Sequence, residues 1–75
     1  MNKGVIQRKI GRIIRDKRIE LGLTQEDLAK SIGKQRSAVQ RLESGNVNPS
    51  IYFLREIAGG LKIPLEDLLK ELKIN

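Results

Sequence analysis

Between residues 35 and 44 the chain reads Q-R-S-A-V-Q-R-L-E-S. On a helix, at about 100° per residue, Arg36, Ser37, Gln40, Arg41 and Ser44 gather on one side, and Ala38, Val39 and Leu42 on the other. The polar side offers two guanidinium forks, a carboxamide and two hydroxyls, with no acid among them. A guanidinium fork matches O6 and N7 of guanine, a carboxamide matches N6 and N7 of adenine, and a hydroxyl serves as donor or acceptor. The same groups also bond phosphate oxygens. A polar helix face is usually no more than a solvated surface, so this set acquires meaning only from the elements around it.

Those elements are helices. Tyr52 and Phe53 are the only aromatic residues, no stretch alternates with period two, and helical spacing dominates, which predicts an all-α fold. A first helix is expected from about Val5 to Glu20, with Ile6, Ile10, Ile13 and Ile14 as its apolar stripe and Gly22 ending it. Thr24 is the N-cap of a second helix, with Asp27 three residues on. Leu28, Ala29 and Ile32 point inward, and Gly33 supplies the positive φ of the turn that follows. The third helix spans about Arg36 to Ser44 and stops at Gly45. Asn46-Val47-Asn48-Pro49 is a loop. Ser50 caps a fourth helix whose buried set is Ile51, Leu54, Ile57, Ala58 and Leu61. Gly59 and Gly60 each cost about 1 kcal/mol in a helix interior, so fraying or an early end is expected there. A fifth helix begins near Pro64, a residue suited to a first turn, and carries Leu65, Leu68, Leu69 and Leu72.

Length and composition bound what such a chain does. Its 75 residues predict one domain, residues 1–75, of marginal size for folding alone. There is no cysteine and no histidine, so no disulfide, thiolate site or imidazole site is available. No cofactor is expected. No apolar run approaches the roughly 20 residues that span a membrane, and the N-terminus is too polar for a signal peptide. The expectation is a cytoplasmic protein with no membrane partner and no evident small-molecule ligand. An enzyme is disfavoured: no nucleophile–base pair, no glycine-rich phosphate loop and no paired carboxylates stand out. Asp16, Glu20, Glu26 and Asp27 read as helix-surface or helix-start charges. The net charge of +6 is uneven. Residues 1–46 carry 11 Lys/Arg against 5 Asp/Glu, and residues 47–75 carry 4 of each. The whole excess lies in the half that holds the polar face, which suits a polyanionic partner.

Two short helices around a glycine turn, about residues 24–44, with one polar outer face, form a helix-turn-helix. Arg18 to Leu68 resembles the phage repressor/Cro-like family, also called XRE-like. The matching residues are R-x-x-x-G-L-T-Q-E-D-L-A at 18–29, I-G at 32–33, R-S-A-V-Q-R-L-E-S-G at 36–45, N-P-S at 48–50, I-A-x-x-L at 57–61 and L-E-D-L at 65–68. The resemblance implies a compact five-helix lambda-repressor-like domain whose third helix enters the major groove of double-stranded DNA. It places Gln35, Arg36, Ser37, Gln40 and Arg41 at contact positions, with Arg36 and Ser37 favoured for bases. It assigns Gln25 to a phosphate and to bracing the third helix, and Asn46 and Asn48 to the DNA backbone. For Gln25 plain helix-start chemistry is the alternative, and for the two asparagines an ordinary turn. The resemblance also pairs Arg18 with Glu43. Three positions depart from the family: Lys17 where an apolar residue is frequent, Gln35 where Ser or Thr usually caps, and Lys62 where glycine is common.

The function this implies is a sequence-specific transcriptional regulator, a repressor or controller on a palindromic operator. One recognition helix reads few base pairs, so a homodimer is expected. Leu65, Leu68, Leu69, Leu72 and Ile74 offer C-terminal apolar surface, either for that two-fold contact or for packing on the first helix. The competing reading is a protein-interaction module, or an antitoxin-type partner, that keeps the fold without reading DNA.

Overall fold

The computed structural model describes residues 3–72. Five helices follow one another: α1 (Lys3–Glu20), α2 (Gln25–Ser31), α3 (Arg36–Glu43), α4 (Ile51–Gly60) and α5 (Leu65–Lys70). No strand occurs among the described residues. Every helix contributes to one core, formed by Ile14, Leu28, Ala29, Val39, Leu42, Leu54, Ile57, Ala58, Leu61 and Leu68. Removing each large aliphatic side chain of that set from water is worth about 1.5–3 kcal/mol.

The helix starts are built as the sequence predicts. Thr24 Oγ1 accepts from the Asp27 amide at 3.0 Å, and Asp27 Oδ2 accepts from the Thr24 amide at 2.9 Å. The bond from the Thr24 amide, with a smaller effect from the Thr24 side chain, holds the Asp27 carboxyl below the usual carboxylate range. Ser50 Oγ accepts from the Phe53 amide at 3.0 Å and caps α4. The turn between α2 and α3 uses Gly33 at φ +68°, and the Lys34 amide reaches back to the Ala29 carbonyl at 2.9 Å.

Several expectations are corrected. α1 starts at Lys3 rather than near Val5. Pro64 is the extended residue before α5, not part of its first turn, and Leu72 lies in the turn after that helix. α4 does not stop early: it runs through Gly59 and Gly60. The reason lies in packing between helices. A Cβ at Gly60 would stand 2.8 Å from Ile32 Cγ2 and from Leu28 Cδ1, so the missing side chain lets α4 approach α2, and that contact offsets the helix-propensity cost. Ile51 is not in the core; it is 63% exposed. It is the first residue of α4, where the helix projects past the edge of the core; around the helix it stands about 60° from Leu54 and only about 20° from Ala58, so its place along the axis, not its angle, leaves it outside.

Two departures from the family pattern have structural answers. Lys17 places Nζ 2.8 Å from Glu71 Oε2, so α1 is tied to the end of α5 by an ion pair instead of an apolar contact. Lys62 adopts φ +61°, the one positive φ outside glycine among the described residues, as expected where a turn takes glycine elsewhere. Of the C-terminal leucines, Leu68 is buried and Leu65 packs against the core. Leu69 and Leu72 line a small apolar gap with Ile10, Ile13, Leu54 and Leu68. Most of the described stripe is therefore used within the chain, and among its described residues Leu69 alone is a large exposed apolar side chain. Ile74 lies outside the described residues.

Candidate nucleic-acid interface

α3 is sharply two-sided. Val39 and Leu42 are buried, whereas Arg36, Ser37, Gln40 and Arg41 are all exposed on the opposite side. Gln35 precedes the helix in extended conformation, makes no side-chain cap bond, and is exposed as well. The first turn of α3 contains no acid.

The position of this face is set from behind, by α1. Gly11 lies under the end of α3, where a Cβ would stand 2.5 Å from the Glu43 carbonyl oxygen and 2.6 Å from that of Leu42. Backbone meets backbone there, and any side chain at this position would hold α1 and α3 apart. About two turns further along α1, Arg18 closes the arrangement. Its Nε donates to Glu43 Oε2 at 2.7 Å and its Nη2 to Oε1 at 2.9 Å, while Nη1 donates to the Leu23 carbonyl at 2.8 Å. The two side chains are 11% and 4% exposed. The carboxylate holds the Arg18 proton more tightly than usual, against the opposing effect of burial. A fork-to-fork pair of this kind fixes direction as well as distance.

Gln25 joins the same cluster. Its Nε2 donates to Glu43 Oε1 at 3.1 Å, so the bracing role that the resemblance implied is present in the structure. The amide has a second hydrogen, and the residue stands at the start of α2, where backbone N–H groups point outward. Thr24, Gln25, Glu26 and Arg36 together line an open cleft of about 300 Å³ between the starts of α2 and α3. Gln25 and Arg36 are thus brought to one edge. Asn46 donates from Nδ2 to Ser44 Oγ at 3.1 Å, and that hydroxyl in turn donates to the Arg41 carbonyl. Asn46 therefore partly serves the local turn that its alternative reading describes. Asn48 is exposed in the same loop.

Sequence reasoning missed the closest contact, Gly11 against α3. The available signal was a glycine inside a strong helical pattern, which marks close approach of another backbone. It also missed the Arg18 bond to Leu23, and the link from Lys34 to Glu56 at 3.7 Å, which ties the turn before α3 to α4. Among the described residues no group of three or more acidic, His or Cys side chains could hold a metal ion, and no helix is long and apolar enough to cross a membrane.

Residues 14–68 match the helix-turn-helix family model. An HTH-type transcriptional regulator of Archaeoglobus fulgidus, itself uncharacterised, is 42% identical over 55 residues, which covers 73% of this chain and 79% of that protein. Among solved structures, the restriction-modification controller protein C.AhdI from Aeromonas hydrophila superposes with a TM-score of 0.85 at 32% identity, over 91% of this chain and 99% of that one. The controller protein C.Esp1396I, solved as a tetramer with its natural 35-base-pair operator, superposes with a TM-score of 0.79 at 32% identity, over 89% and 93% of the two chains.

Proposed function

Because the chain belongs to the helix-turn-helix family and is a DNA-binding transcriptional regulator, we propose that it reads an inverted-repeat operator as a homodimer, with α3 of each copy in the major groove. The observation that carries this reading is the α3 face itself: Arg36, Ser37, Gln40 and Arg41 exposed and unopposed by acids on that face, on a helix whose far end is held by Glu43. In this reading Arg36 and Ser37 meet base edges. Gln35, Gln40 and Arg41 reach bases or phosphates. Gln25 bonds a phosphate while bracing α3, and Asn46 and Asn48 touch the DNA backbone. Occupancy of the operator blocks or recruits polymerase, which places the protein with the chromosome in the cytoplasm.

Two-fold pairing through the C-terminal helix is supported by the outward position of Leu69 and by a similar controller that binds its operator as an oligomer. Two recognition helices about 34–36 Å apart read one face of the duplex. The test is selection from random duplex DNA at about 150 mM salt, with sequencing of what is bound. Inverted half-sites one turn apart are expected, and Arg36→Ala should relax preference at one base pair by about 1–3 kcal/mol. Binding without sequence enrichment would overturn operator reading, and a single enriched half-site would overturn the dimer.

A further inference from the structure

We infer that α1 carries a second phosphate-binding strip, Arg8, Arg12 and Arg15, which lies against the DNA backbone flanking the bases read by α3. The inference rests on the DNA-binding reading above and concerns a helix to which that reading assigns no contact. Residues 3–15 contain five cations and no acid. Arg8, Arg12 and Arg15 fall within about 60° of one another around the helix, and all three are exposed. Their face is turned away from Ile10 and Ile14.

Other cations of α1 are used inside the fold: Lys17 with Glu71 and Arg18 with Glu43. Among the described residues Arg8, Arg12 and Arg15 form no ion pair. Like charges four apart on a helix repel each other, and Asp16, four residues after Arg12, forms no ion pair with the strip among the described residues.

Its place in the fold identifies the partner. A Cβ at Gly45 would stand 3.1 Å from Arg8 Cα and 3.2 Å from Arg8 N. Arg8 is therefore packed directly against the residue that ends α3 and opens the loop to Asn46 and Asn48, the segment proposed to touch the DNA backbone. Arg8, Lys9, Arg12 and Val5 line an open groove of about 290 Å³ there. From Arg8 to Arg15 the helix rises about 10.5 Å, the advance along the duplex axis of about three phosphates of one strand at about 3.4 Å each. A duplex held by α3 continues past this loop, and the strip presents its charge where the flanking phosphates run.

The experiment measures the salt dependence of binding to a 40-base-pair mixed-sequence duplex by fluorescence anisotropy. Arg8→Gln/Arg12→Gln/Arg15→Gln is compared with the wild type, with the lysine variant at the same three positions, and with Arg55→Gln/Lys62→Gln/Lys70→Gln, which loses equal charge from the other half of the chain. Each lost phosphate contact lowers the slope of log K against log salt by about 0.9. The α1 glutamine variant should therefore lose about two to three from its slope. The lysine variant and the control should stay within about one of wild type. A slope unchanged in the α1 variant, or an equal fall in the control, would overturn the strip while leaving the regulator reading intact. Wild-type protein that binds no duplex at all would overturn both.

Discussion

Replacing Gly11 and Gly59 by alanine, one at a time, is expected to change stability in opposite directions. Both glycines lie in helices, α1 and α4, and the intrinsic preference of a helix for alanine over glycine is about 1 kcal/mol. At Gly59 nothing lies within 4 Å of the added methyl group. Gly59→Ala should therefore gain up to about 1 kcal/mol, somewhat less because it is near the helix end. At Gly11 the methyl carbon would stand 2.5 Å and 2.6 Å from two backbone carbonyl oxygens. Reaching an ordinary contact of 3.4 Å requires the two helices to part by about 0.9 Å. Neither oxygen belongs to a side chain that could rotate away. Overpacking of this kind costs about 1–3 kcal/mol, and the same displacement stretches the Arg18–Glu43 pair. Set against the gain of about 1 kcal/mol from helix preference, the net expectation for Gly11→Ala is a loss of up to about 2 kcal/mol. In a domain of this size each kcal/mol moves the melting temperature by about 4–8 °C. Thermal melts followed by circular dichroism at 222 nm should place Gly11→Ala below the wild type and Gly59→Ala at or above it. A Gly11→Ala protein that melts at or above the wild-type temperature would refute the close approach of α1 to α3.

Three further outcomes follow from the same geometry. Glu43→Ala leaves a largely shielded Arg18 and the Gln25 amide without their acceptor and should cost about 3 kcal/mol, whereas Arg18→Met/Glu43→Leu should recover most of that loss; denaturant titrations of the three proteins decide it, and a single variant within about 0.5 kcal/mol of wild type would mean the pair is screened. Lys62→Gly should raise the denaturation midpoint by the equivalent of up to about 1 kcal/mol, because a side chain at positive φ is strained and glycine is not; an unchanged or lower midpoint would count against strain at this turn. Asp27 has its carboxyl pKa lowered by the Thr24 bonds, so its contribution is full above the unfolded value of about 3.9 and is lost as pH falls through the lower folded value. The stability gap between wild type and Asp27→Ala should therefore narrow below about pH 4, and a gap that stays constant into strong acid would contradict the reciprocal cap.

Much of this fold was legible because helix ends are local. Thr24 with Asp27, Ser50, and the glycines at 22, 33 and 45 act within one turn of chain, and the structure places the corresponding helix ends within one or two residues. The outer face of α3 was legible for a similar reason: eight residues suffice to show a side without apolar groups. What was not legible depends on how near two helices come. Gly60 reads as a weak point of its helix and Gly11 went unremarked, yet both are sites where another element fills the missing volume. Periodicity carries angles around a helix and says nothing of distances between helices. Ile51 shows the same limit from the other side, since its spacing suits the core but its helix has already left it. The Arg18–Glu43 pair came from resemblance, because a separation of 25 residues leaves no trace in local spacing.

The shielded cluster of Arg18, Glu43 and Gln25 also has a consequence for genetics. In a screen for loss of operator binding, substitutions at Gly11, Arg18 and Glu43 would score alongside those at Arg36 and Ser37, although none of the first three is offered to DNA. The two groups separate by temperature. Variants that loosen the support should bind again when cooled, because the folded population returns as stability is restored. Variants that remove a base contact should stay defective at every temperature at which the wild type is folded. A map of permissive temperatures across the gene would therefore draw the boundary between the reading surface and its mounting without any structure of the complex.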